Sequence, residues 1–196
     1  MTRIVALPAA FAALCITAAC SLWPSQPPLP QVHDFGPPPA ANHMAVADLQ
    51  LDAVMAPAWL ASDAIHYRLL YDDPTALRNY ADHRWAAPPA ELLAARLRYL
   101  LPLQPAGDTG ARGIYVLSAT LLEFEQDFST AHEAHVRLEL EVSMRRASDG
   151  QIIAAHRFVM TQSTTPDVQG AISGLAQLAN RTAPAIADWA WTQVRE

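Results

Sequence analysis

Between Val136 and Arg145 apolar and polar side chains alternate without a break: Val136, Leu138, Leu140, Val142 and Met144 on one side, Arg137, Glu139, Glu141, Ser143 and Arg145 on the other. A period of two is that of a strand, so one face of a sheet is buried here and the other is wet. Asp149-Gly150 follows, a pair whose glycine accepts the positive φ of a hairpin turn, and Ile152 to Thr161 supplies a returning strand with Phe158 and Met160. Upstream, Ile114 to Phe128 is rich in β-branched and aromatic residues and predicts a long strand, reversed by a turn around Ser129 to Glu133. Three consecutive antiparallel strands are therefore expected at the centre of the sheet.

The first half of the chain adds three shorter strands. Val46 to Met55 alternates through Leu49, Leu51, Ala53 and Met55 until Pro57 stops it, and Ile65 to Tyr71 follows. Asp72-Asp73-Pro74 is turn chemistry, since an Asp side chain bonds the backbone ahead and Pro presets φ, so Leu77 to Trp85 returns as a hairpin partner. Pro88-Pro89 then suits a helix start, where a missing N–H costs nothing, and Leu93, Leu97 and Leu100 recur at helical spacing, giving a helix over Pro89 to Leu101. Gln104 to Gly113, with three glycines, reads as a loop. Val168 to Val194 carries Ile172, Leu175, Ala179, Ile186 and Trp189 near helical spacing, with Pro184 placed to kink or divide it. The predicted class is α+β: an antiparallel sheet with two main helices packed on one face, in the order β-β-β-α-β-β-β-α.

The N-terminus changes the picture. Met1-Thr2-Arg3 is a short positive segment, and Ile4 to Ala13 is an apolar run too short to span a ~30 Å hydrocarbon layer. Thr17-Ala18-Ala19 then precedes Cys20, the pattern of a bacterial lipobox with Thr17 where Leu or Val is usual. The expectation is a signal peptide over 1–19 and a mature chain beginning at Cys20 with covalent diacylglycerol and N-acyl lipid. Ordinary secretory cleavage, with Cys20 incidental, is the alternative, and Cys15 is a poorer site because bulky Leu14 precedes it. Seven prolines between Ser21 and Ala41 favour extended polyproline-like chain, so 20–45 reads as anchor and tether and 46–196 as the folded domain. Ser21 after the cysteine is the pattern sorted to the outer membrane.

Composition then removes function classes. A formal charge of −6 argues against a phosphate backbone as partner. With the only cysteines at 15 and 20, the domain has no disulfide, no thiol nucleophile and no cysteine metal site. His132 and His135 are three apart, not the four that lets two histidines share zinc on a helix, so no metal and no cofactor is expected. Ser173 lies in Gly-Ala-Ile-Ser-Gly, which is not the spacing of a hydrolase elbow, and Asp72, Asp73, Asp82 and His83 gather acids near a histidine, but Asp72-Asp73-Pro74 is explained by turn formation alone, so no catalytic residue is assigned. Trp59, Trp85, Trp189 and Trp191 are candidates for a groove, an interface or the core.

Tyr67-Arg68, Tyr80 and Arg84-Trp85-Ala86-Ala87-Pro88, followed by Phe124-Glu125-Gln126 at the head of the three-strand run, resemble the ABC-type transport auxiliary lipoproteins, the PqiC-like proteins that accompany MCE-domain transport systems. Ala87 stands where members often carry an acid before the proline. The resemblance implies a non-enzymatic envelope component that docks a transport assembly moving lipids or other hydrophobic compounds between the inner and outer membranes. It also implies an ABC transporter and an MCE-domain protein as partners, an outer-membrane lipid anchor facing the periplasm, and ring-like self-association. Arg84, Trp85 and Pro88, the most recognisable stretch, are the expected partner-binding residues. A domain that itself carries lipid, or a lipid-anchored hydrolase, are the alternatives.

Overall fold

The computed structural model describes residues 29–38, 49–101 and 115–195. The signal peptide, Cys20, most of the proline-rich stretch, residues 46–48 of the first expected strand and the glycine-rich loop lie outside the described residues. The elements are β1 (Gln31–His33), β2 (Leu49–Met55), β3 (Ala64–Leu69), β4 (Asp73–Trp85), α1 (Pro89–Leu100), β5 (Tyr115–Thr130), β6 (Glu133–Arg146), β7 (Ile152–Thr164) and α2 (Val168–Arg195).

The three-strand centre forms as the alternation predicts, with β5 antiparallel to β6 and β6 to β7. Gly150 takes φ +72° in the connection after β6. Asp73 accepts the Thr75 amide at 2.9 Å, so the turn chemistry works as expected, and β3 and β4 form the antiparallel hairpin around residues 70–72.

The sheet is mixed, however, not antiparallel throughout. β3 runs parallel to the second half of β5 (His66 beside Glu125), β2 parallel to its first half (Leu49 beside Tyr115), and β1 parallel to the end of β4. Thus β2 and β3 occupy the same flank of one long strand, and the Ala58–Leu60 turn after Pro57 steps the chain from one to the other. Alternation reports which face is buried; it carries no information on direction. The order also differs by β1, a three-residue strand inside the stretch read as tether, giving four strands before α1.

Both helices cover one sheet face. α1 places Leu93, Leu97 and Leu100 inward, and α2 places Leu175, Leu178, Ala179 and Ile186, against Leu117, Leu121 and Phe124 of β5 and Val136 to Met144 of β6. α2 continues through Pro184 as one helix of 28 residues rather than dividing. It lies so close to the sheet that a Cβ on Gly174 would sit 2.8 Å from the Val136 side chain and 2.5 Å from that of Thr164. Gly174→Ala is therefore expected to lower stability by about 1–2 kcal/mol in urea unfolding, because overpacking outweighs the gain in helix propensity. Ser173→Ala, one residue away on the exposed side, should change it by no more than about 0.5 kcal/mol.

Candidate functional site

Two regions hold groups that the core alone does not explain: the junction where the N-terminal segment enters the fold, and the sheet face that no helix covers.

At the junction, β1 adds to β4 through three residues, and Ala86 N–H donates to the His33 carbonyl at 2.7 Å. The next residues turn inward. Asp34 accepts the Gly36 amide at 2.8 Å, and Gly36 takes φ +68°, a conformation glycine adopts without strain. Between them Phe35 enters the core, 3% exposed, with ring centroids 5.4 Å from Trp85 and 5.7 Å from Phe124. Its carbonyl accepts from Asn180 of α2 at 2.8 Å, and the Gly36 carbonyl accepts from the buried Arg96 of α1 at 2.8 Å. The segment is thus clamped between the helices. A cleft of about 240 Å³ opens on its α1 side, beside Leu92 and Tyr99, and one of about 480 Å³ on its α2 side, beside Ile172 and Ala176.

His33 and His83 close the same junction, Nε2 to Nδ1 3.0 Å apart with ring centroids at 5.2 Å. One ring donates and the other accepts, so the contact holds a single facing proton. Burial and the neighbouring His83 push the His33 pKa down, opposed by Asp34, itself beside Arg96. A folded pKa below the unfolded value means the contribution is fully present above about pH 6.5 and is lost as pH falls through the depressed folded value. Amide exchange at Val32 to Phe35, corrected for intrinsic rates, is expected to rise on going from pH 7.5 to pH 5, and His83→Gln should weaken that dependence without abolishing it, because burial of His33 remains.

The uncovered face is an ion-pair lattice. Glu125 pairs with Arg68 at 2.7 Å, Asp127 lies 3.6 Å from His135, and Glu139 is held by Arg137 at 2.8 Å and by Arg157. Arg137 also pairs with Glu123. Glu125, Asp127 and Glu139 are nearly buried although they lie on this face. Burial pushes Glu125 and Asp127 up in pKa; Arg68 opposes this at Glu125, and His135 and Arg137 at Asp127.

The residues singled out from sequence divide differently. Trp85 is 1% exposed and packs on Phe35 and Phe124 in the core. Arg84 is exposed and 3.9 Å from Asp63, and Pro88 is half-buried at the start of α1. Tyr67, Tyr80 and Gln126 meet: the tyrosine rings are 4.7 Å apart and Tyr80 Oη donates to Gln126 Oε1 at 2.7 Å. Gln126 donates in turn to Thr164 Oγ1 and the Thr165 carbonyl, both at 2.9 Å, so a fully buried amide ties β4, β5 and the end of β7 together. His132 and His135 do not converge: His132 is in a turn, whereas His135 faces Asp127. Ser173 Oγ donates to the Gln169 carbonyl on the exposed side of α2. Phe35, Arg96 and Asn180 were not anticipated; Asp34-Phe35-Gly36, an aromatic between two turn formers in a proline-rich stretch, is the signal that points to them.

The sequence model for the ABC-type transport auxiliary lipoprotein component matches residues 33–187. No curated protein matches the chain. Among solved structures, a protein of Xanthomonas campestris described under the family model DUF330 is 20% identical, with a TM-score of 0.67 over 86% of this chain and 96% of its own. An uncharacterized protein is 17% identical at a TM-score of 0.60 over 82% of this chain and 98% of its own. The PelC dodecamer of Paraburkholderia phytofirmans matches at 17% identity and a TM-score of 0.32, over 70% of this chain and 84% of its own. The first two establish a shared fold. The match to the family begins at His33, within the clamped junction.

Proposed function

Because this chain belongs to the family of ABC-type transport auxiliary lipoprotein components, we propose that it is the lipid-anchored, non-enzymatic docking subunit of an envelope transporter that moves lipids or other hydrophobic molecules. Cys20 carries the lipid, in the outer membrane facing the periplasm, and the domain holds an MCE-domain protein whose ABC transporter lies at the inner membrane. No cofactor takes part. The observation that supports this reading is the junction: the segment leading from Cys20 is built into the sheet by β1 and into the core by Phe35, so the anchor is coupled to the rigid part of the fold.

The space between sheet and helices is filled by side chains of one continuous core, which favours docking over lipid carriage. Self-association has a natural surface in β7, an edge strand of 13 residues with Ile152 and Val159 exposed.

The test compares wild type with Cys20→Ala for palmitate labelling and membrane fractionation, followed by crosslinking in the native host. Label on wild type alone, with MCE-domain and ABC subunits captured, is the expected result. Equal membrane association of both proteins, with no transporter subunit captured, overturns the proposal.

A further inference from the structure

We infer that the end of the domain carrying the β3–β4 hairpin tip rests on the bilayer, with Leu70 and Tyr71 against the lipid surface; this rests on Cys20 being the lipidated residue. The strand register gives the direction. β1 is parallel to β4 with Gln31 beside His83, so the chain enters β1 from the side of the start of β4, which is the hairpin tip. From Asp73 to His83 at ~3.3 Å per residue is about 33 Å.

Ten residues lie between Cys20 and Gln31, and even fully extended the eleven steps span at most about 36–40 Å at ~3.3–3.6 Å per residue. Pro24, Pro27, Pro28 and Pro30 lack the N–H groups a strand would need, so this segment is suited to bridging rather than to extending β1 along β4. A lipid on Cys20 therefore reaches the level of the tip with only several ångströms to spare. A longer standoff would need more free chain than this, and from Gln31 onward β1 holds the chain to the sheet.

The tip is chemically suited to that position. Leu70 and Tyr71 are 40% and 51% exposed in a turn, a place where small polar residues are usual, and tyrosine favours the membrane–water boundary. Asp73 and Glu133 on the same end are exposed acids, while Asp72 is paired with Arg78 at 3.0 Å, so the tip is acidic on balance and the surface it fits is zwitterionic rather than anionic. The opposite end, with the turn at 147–151, faces away from the membrane and toward the transport partners, because β5 and β6 run from one end to the other.

The experiment uses the full chain, expressed with its signal and lipidated. With Cys15 removed in the signal and Cys20 acylated, the processed protein has no free thiol. A single environment-sensitive fluorophore is placed by Asp72→Cys at the tip, Ser148→Cys at the far end, Glu141→Cys on the uncovered sheet face or Gln177→Cys on α2. Each protein is reconstituted in phosphatidylcholine vesicles containing brominated lipid, whose quenching reports proximity to the boundary layer. The label at 72 is expected to lose most of its emission, those at 148, 141 and 177 little. Quenching at any of these three that equals or exceeds that at 72, in protein that floats with the vesicles, overturns the orientation and leaves the anchor standing. Protein that does not float overturns the anchor, and the orientation with it.

Discussion

Replacing Phe35 with alanine should destabilise the domain by about 3–5 kcal/mol, the range for deleting a fully buried aromatic. The ring is 3% exposed and closes an aromatic triad with Trp85 and Phe124, whose own centroids are 5.7 Å apart. Phe35 is also attached to the fold through β1 and through its own carbonyl and that of Gly36, so loss of the ring leaves a cavity bordered by a segment free to leave it. Urea unfolding is expected to show a lowered midpoint. Limited proteolysis should cut within 29–38 in Phe35→Ala and not in wild type. A midpoint shift of less than about 1 kcal/mol would mean that the segment is not part of the cooperative unit.

Arg68→Ala should cost about 2–4 kcal/mol, because it strands a carboxylate in a buried place rather than because a surface ion pair is lost. Glu125 is 4% exposed, and its bond to Arg68 Nε is the contact that holds its pKa down against burial. Without the arginine the Glu125 carboxyl rises further above its unfolded value. A group raised in the folded state contributes most at low pH, and that contribution is lost as pH rises through the folded pKa. The deficit of Arg68→Ala relative to wild type should therefore grow between pH 5 and pH 8 in urea unfolding. Arg68→Met combined with Glu125→Leu should recover most of the loss, since an apolar pair of similar volume carries no desolvation penalty. A deficit independent of pH, or no recovery in the double variant, would show that packing of the arginine stem is what matters.

The residues that resemble the family turn out to act at three levels. Tyr67, Tyr80 and Gln126 form a buried hydrogen-bonded group, Arg68 and Glu125 a pair on the opposite sheet face, and Trp85 the floor of the anchor junction. Their spacing in sequence was legible, but their roles were not. Trp85 in Arg84-Trp85-Ala86-Ala87-Pro88 reads equally as an interface or a core residue until Phe35, fifty positions earlier, is found against it.

By itself the sequence determined which face of β6 is buried, where α1 begins and where the hairpins turn. Each of these follows from side chains within a few residues of one another: alternation, a proline at a helix start, an Asp beside the amide it accepts. Strand direction, β1 and the clamp on Phe35 are of another kind. A three-residue strand among prolines has no stability of its own and exists because β4 offers it an edge. Phe35 is held by Asn180, 145 positions away. Local pattern sets the period and the face of an element; which neighbour it pairs with, and in which direction, is decided when distant segments bury the same surface together. That is why the tertiary structure alone could show that Gln31–His33, inside a proline-rich stretch, pair with β4.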